Sequence, residues 1–100
     1  MQLLTDELRK KIPAMGSQEG LKDPMIVAKF FTPWSSWTWY IIEFDGEDTF
    51  FAYVDGLMPE LGYVSLSELE DLVSPSGLRI ERDLHWIEMP LSAVKKEVEG

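Results

Sequence analysis

Two β-rich runs separated by a four-residue turn constrain this chain more than any other feature. Trp37 to Phe44 is dense in aromatic and β-branched residues, and Thr49 to Val54 continues the same character. Between them stands Asp45-Gly46-Glu47-Asp48. Aromatic and β-branched side chains fit a pleated, half-buried surface. An Asp-Gly turn between two such runs signals a hairpin. The pattern therefore predicts an antiparallel pair, 37–44 against 49–54.

The remaining elements arrange themselves around that pair. Met25 to Phe31 reads as a strand, broken by Pro33. Asp55-Gly56 turns the chain again, and Leu61 to Val64 gives a short further strand. Leu78 to Glu81 reads as another, with Leu78 and Ile80 on one face and Trp86-Ile87 extending the sheet. Two to three short helices are expected. Thr5 caps the first, with Asp6 and Glu7 in its first turn and Arg9, Lys10 and Lys11 in its last, the order that suits the helix dipole. Leu4, Leu8 and Ile12 form its apolar stripe, and Pro13 stops it. Ser65-Leu66-Ser67-Glu68 fits a capping box. It is followed by the stripe Leu66, Leu69, Leu72 and Val73, which ends at Pro75 and Gly77. Pro90 suits a first helical position, and Leu91, Val94 and Val98 mark the last helix. Residues 13–24 read as a loop. The whole is one α+β domain over residues 1–100. It is an antiparallel sheet of about four strands, with a central hairpin and two to three short helices packed on it.

Charge is confined to one part of the chain. The net charge is −9, yet no basic residue lies between Lys29 and Arg79. That interval holds Glu43, Asp45, Glu47, Asp48, Asp55, Glu60, Glu68, Glu70 and Asp71. The bland reading is a solvated surface. The sharper one is an acidic face for a basic partner, formed by Glu43, Asp45, Glu47 and Asp48 around the turn and by Glu68, Glu70 and Asp71 on the second helix. Fields of this kind steer encounter over roughly 8 Å in physiological salt. Direct nucleic-acid binding is disfavoured, because phosphate contacts need clustered Lys and Arg. No segment approaches the ~20 apolar residues of a transmembrane helix. The first twelve residues, with five charges, do not form a secretory signal. A cytoplasmic location is expected.

The aromatic residues crowd together. Trp34, Trp37, Trp39 and Tyr40 follow Phe30 and Phe31. In a strand, Trp37 and Trp39 share a face and Tyr40 takes the other. Core packing with Phe50, Phe51 and Tyr53 explains most of them. A contact surface made by Trp34, Trp37 and Tyr40 is the functional alternative, with Trp34 the foremost candidate because it sits beside Pro33 in a loop. His85 is the single histidine, with Asp83 and Glu81 near enough in sequence to orient it. No nucleophile elbow accompanies it. With no cysteine and one histidine, transition-metal sites are not expected. The turn acids do not match a calcium loop, and there is no phosphate-cradling glycine motif. No cofactor is expected.

Several segments in order, Lys22-Asp23-Pro24, Lys29-Phe30-Phe31-Thr32-Pro33, Trp37-Thr38-Trp39-Tyr40, Gly62-Tyr63-Val64-Ser65-Leu66-Ser67-Glu68-Leu69 and Ile80-Glu81-Arg82-Asp83, resemble a family of small bacterial proteins of unknown function. Its members are commonly encoded on plasmids, integrative elements and phages. The resemblance runs through nearly the whole chain. Val64 stands where the family carries an aromatic residue. It implies a mobile-element accessory protein, often near anti-restriction genes, and supplies no catalytic residues. Three function classes follow. The first is a non-enzymatic module whose acidic face engages a basic protein, including a host defence nuclease inhibited by DNA charge mimicry. The second is a small ligand-binding domain with an aromatic stacking surface, and the third a small enzyme using His85. Oligomeric state and strand order are not contained in these patterns.

Overall fold

The computed structural model describes residues 2–100; Met1 lies outside them. The elements run α1 (Asp6–Lys11), β1 (Met25–Ile26), β2 (Ala28–Phe31), β3 (Thr38–Phe44), β4 (Thr49–Asp55), β5 (Pro59–Ser65), α2 (Leu66–Asp71), β6 (Glu81–Arg82), β7 (Met89–Pro90) and α3 (Leu91–Glu99). Five strands form the main sheet in the order β5-β4-β3-β2-β6, with every pairing antiparallel. A separate two-stranded ribbon joins β1 to β7.

The expected hairpin is the centre of this sheet. Thr38 pairs with Asp55 and Phe44 with Phe50, and the register shifts between Ile41 and Glu43. Gly46 makes the turn with φ of 87°, a left-handed conformation that glycine adopts without a Cβ clash. Three backbone N–H groups, of Glu47, Asp48 and Thr49, donate to Asp45 Oδ1 at 2.8, 2.9 and 3.0 Å. The turn is thus wrapped around one carboxylate.

Alternation along β3 and β4 feeds two separate apolar layers. On one face Phe30, Trp39, Ile41, Phe44, Phe50 and Ala52 pack with Leu3, Leu4 and Ile12 around α1, and with Leu66 and Leu69 of α2. On the other, Tyr40, Ile42 and Tyr53 pack with Ile26 and with Leu91 and Val94 of α3. Helices therefore cover both faces, which the sequence pattern left open.

The caps show how distant residues tie these layers together. Thr5 Oγ1 accepts from the Leu8 N–H at 3.1 Å, as expected. Ser65 Oγ accepts from the Glu68 N–H at 3.1 Å, but the partner that completes this cap is Asp48 and not Glu68. Asp48 takes the Ser67 N–H at 2.9 Å, the Ser65 hydroxyl at 2.9 Å and the Ser67 hydroxyl at 2.8 Å, and its carbonyl takes the Leu66 N–H at 2.7 Å. At α3, Pro90 is the N-cap and offers no side-chain bond. Asp23 supplies it from the loop, accepting from the Ser92 N–H at 2.8 Å and the Ser92 hydroxyl at 2.6 Å.

Several expectations change. The main sheet has five strands. The segment 25–31 divides at Val27, since Met25 and Ile26 leave the main sheet to pair with Pro90 and Met89. Glu81–Arg82, not 78–81, joins the sheet, because the chain first folds back through a bridge between Val73 and Arg79. Trp86 does not extend the sheet. Its indole N–H donates to the Ile26 carbonyl at 3.0 Å, which makes it part of the α3 layer. Helix α2 stops at Asp71, and Leu72 turns to extended backbone. The last two members of its apolar stripe are therefore exposed, Leu72 at 42% and Val73 at 50%.

Candidate functional site

The acidic candidates separate into groups that differ in how far they are committed to the fold. Glu43 does not belong to a surface. It is 5% exposed, and the register shift beside it turns its carboxylate to the loop 13–24. There Oε1 accepts from the Gly16 N–H at 3.0 Å and Oε2 from the Gln18 N–H at 2.7 Å. Asp45 and Asp48 hold the turn and the α2 cap. Their carboxyls lie below the usual carboxylate range, Asp45 chiefly through the Thr49 and Glu47 amides and Asp48 chiefly through Ser67. Glu47, Glu68, Glu70 and Asp71 are exposed. The turn and α2 do adjoin, joined at Asp48. Two bases border them. Arg9 Nη1 donates to the Gly46 carbonyl at 2.9 Å, and Arg79 Nη1 to the Glu70 carbonyl at 2.7 Å.

The aromatic candidates divide between the faces. Tyr40 is buried in the α3 layer, with its ring centroid 6.1 Å from Tyr53 and 5.9 Å from Trp86, and it forms no common surface with Trp34 and Trp37. The reason is the strand alternation itself: Tyr40 points opposite to Trp39. Trp34, Trp37 and Trp39, by contrast, line one open cavity of about 440 Å³ with Thr32, Ser35 and Leu72. Trp37 stacks on Trp39 at 5.9 Å with an interplanar angle of 27°. It also lies against Gly56, where a Cβ would collide with its six-membered ring. Trp37 is 37% exposed and Trp34 is half-buried.

The loop that carries Trp34 and Trp37 is stapled. Thr32 is 6% exposed; its N–H donates to the Trp37 carbonyl at 3.0 Å, and its hydroxyl pairs with that of Ser35. The Ser35 N–H returns to the Thr32 carbonyl at 3.3 Å. Pro33 adds stiffness at the same point. The tryptophans are held in place by backbone closure.

A second open cavity of about 420 Å³ adjoins the first through Trp39 and Leu72. Val64, Glu68, Leu69 and Asp71 complete its walls. Together the two form a groove with tryptophan faces at one end and two exposed carboxylates at the other. Among the described residues, none of the side chains lining it is basic. Sequence reasoning named Trp34, Trp37, Glu68 and Asp71 as candidates but assigned them to different surfaces. It missed Trp39, Gly56 and Leu72 as parts of one site, and early termination of α2 is what brings Leu72 there.

His85 is exposed and borders another cavity, of about 480 Å³, with Lys29, Ser35, Trp37, Arg82 and Asp83. Asp83 Oδ1 accepts from the His85 backbone N–H at 2.9 Å, so this bond orients the loop and not the imidazole. Among the described residues, no three His, Asp or Glu side chains group as a metal site. No helix among them is long and apolar enough to cross a membrane.

Fold and site together define a small α+β domain that presents an aromatic groove with an acidic rim. The chain belongs to a family of proteins of unknown function, DUF2958, whose sequence pattern matches residues 3–98. No curated protein and no solved structure matches it.

Proposed function

We propose that this chain is a non-enzymatic protein-interaction module that takes a cationic side chain of a basic partner protein into the tryptophan groove. The observation that carries this reading is the convergence of Trp34, Trp37 and Trp39 with Glu68 and Asp71 on one groove. An aromatic face attracts a cation through its quadrupole, worth about 0.5–1 kcal/mol when exposed and about 2 when desolvated. The carboxylates add long-range attraction and speed encounter. The stapled 32–37 loop keeps the rings in position before binding, which lowers the ordering cost.

The setting we propose is the cytoplasm of a bacterial host, as an accessory protein of a mobile genetic element. The partner class is a host nucleic-acid-binding or defence protein, and the chain itself does not contact nucleic acid. Inhibition of a nuclease by DNA charge mimicry is the narrowest form of this reading. It is supported by the interval without bases, and it is weakened by Glu43, Asp45 and Asp48 being committed to the fold and by the two bordering arginines.

The test is a nuclear magnetic resonance titration of the full chain with the capped tripeptide Gly-Arg-Gly and with its citrulline counterpart, which keeps the shape and lacks the charge. Shifts of the Trp34 and Trp37 indole signals and of the Glu68 and Asp71 amides with the arginine peptide alone are expected. Equal shifts with both peptides, or shifts confined elsewhere, refute it.

A further inference from the structure

The two edges of the main sheet are treated differently. The β6 edge is only two residues long, one of the ordinary ways a protein blunts an edge. The β5 edge is seven residues long and, among the described residues, pairs only with β4. Of the usual protections it carries only Pro59 at its first position and a single charged side chain. It has no lysine, its only charge is Glu60, and the sheet's register shift lies between β3 and β4 instead.

The side chains of β5 are sorted by face. Leu61 and Tyr63 are cross-strand partners of Tyr53 and Phe51, and they remain 45% and 71% exposed. The Tyr63 ring lies 5.2 Å from that of Phe51 and continues the apolar layer to the sheet's margin. On the opposite face stand Glu60 and Val64, and Val64 shares a cavity wall with Glu68 of α2. One side of this edge is thus apolar and aromatic, and the other carries a single carboxylate, Glu60, with Glu68 of α2 beyond Val64.

We infer that β5 is a docking edge for an extended segment of a partner protein whose side chains alternate between apolar and basic. Such a segment would add a sixth strand, with main-chain hydrogen bonds supplying the attraction and alternate side chains the selectivity. Its apolar residues lie beside Leu61 and Tyr63, and its basic residues face Glu60 and Glu68. A second copy of this chain is the poorer occupant. The chain carries a net charge of −9 and β5 offers no base to its own Glu60, so two copies joined at this edge repel and gain no ion pair there. The inference shares the basic character of the partner with the groove reading and meets the groove at Val64 and Glu68, but it concerns the sheet edge beside it and a different kind of bond.

The experiment adds a capped peptide, (Lys-Val)4, to the full chain and follows backbone amide exchange in β5. Controls are (Glu-Val)4, and (Lys-Val)4 N-methylated at every residue, which has no backbone N–H on either edge to donate to a sheet. Protection of β5 amides by (Lys-Val)4 and by neither control is expected. Leu61→Lys with Tyr63→Lys, both at exposed positions, should weaken binding by roughly tenfold or more while the fold is retained. Equal binding of (Glu-Val)4 or of the methylated peptide overturns the proposal. So does peptide binding that shifts only the Trp34 and Trp37 indole signals, a result that leaves the groove reading intact. Protection of β5 that rises with protein concentration in the absence of peptide assigns the edge to a second copy, and likewise overturns it.

Discussion

Replacing Glu43 by Ala tests whether this carboxylate belongs to the fold or to a binding face. In the structure both oxygens are used, by the Gly16 N–H at 3.0 Å and the Gln18 N–H at 2.7 Å. Hydrogen bonds to a charged partner contribute about 1.5–3 kcal/mol each, and a donor left unpaired adds to the loss. Both amides lie in a loop that water reaches in part, so they rehydrate to some extent. The two bonds together place Glu43→Ala at about 3 kcal/mol of destabilisation. For a chain of this length that corresponds to a fall in Tm of roughly 12–24 °C. Urea denaturation measures it, and amide exchange at Gly16 and Gln18 should accelerate before the rest of the protein. Glu43→Gln, which keeps one acceptor and sets an NH2 group against the other amide, should fall between. A change below about 0.5 kcal/mol, the range of an ordinary surface substitution, would refute the structural role.

Three further outcomes are expected. Gly56→Ala should push the Trp37 ring off its seat, shift tryptophan emission and weaken groove binding; unchanged emission counts against the packing described. Ser65→Ala removes the bond that Ser65 Oγ accepts from the Glu68 N–H, leaving those of Asp48, and should cost about 1 kcal/mol in denaturant unfolding; an unmoved midpoint contradicts it. Asp23, Asp45 and Asp48 have carboxyls held low, Asp23 chiefly by the Ser92 hydroxyl. The native state then binds fewer protons than the unfolded chain, so stability is full at neutral pH and falls as pH drops through about 4 and below. A denaturation midpoint constant from pH 6 to pH 3 would contradict this.

What was legible in the sequence was local. The hairpin, the Thr5 and Ser65 caps, the exposure of Glu68, Glu70 and Asp71 and the opposite faces of Trp39 and Tyr40 all follow from neighbouring residues. The features that escaped depend on residues far apart in the chain. Nothing near Ser92 shows that Asp23 caps its helix, 69 positions away. Glu43 looks like one more acid beside an acidic turn until the register shift buries it against Gly16 and Gln18. The groove needed three such facts at once: the stapled 32–37 loop, Gly56 under Trp37, and the early end of α2. Each acid and each tryptophan was visible alone, and their meeting was not.

A double-mutant cycle on the groove is the most direct test of the central claim. Trp37→Ala and Asp71→Asn, alone and combined, are measured for affinity toward the capped Gly-Arg-Gly peptide by calorimetry, with Glu47→Gln as a surface control. If one cation spans the groove as proposed, each single variant is expected to weaken binding and the pair to show a coupling above about 0.5 kcal/mol. Strict additivity, or a loss with Glu47→Gln equal to that with Asp71→Asn, contradicts a single site that joins the tryptophans to the acidic rim.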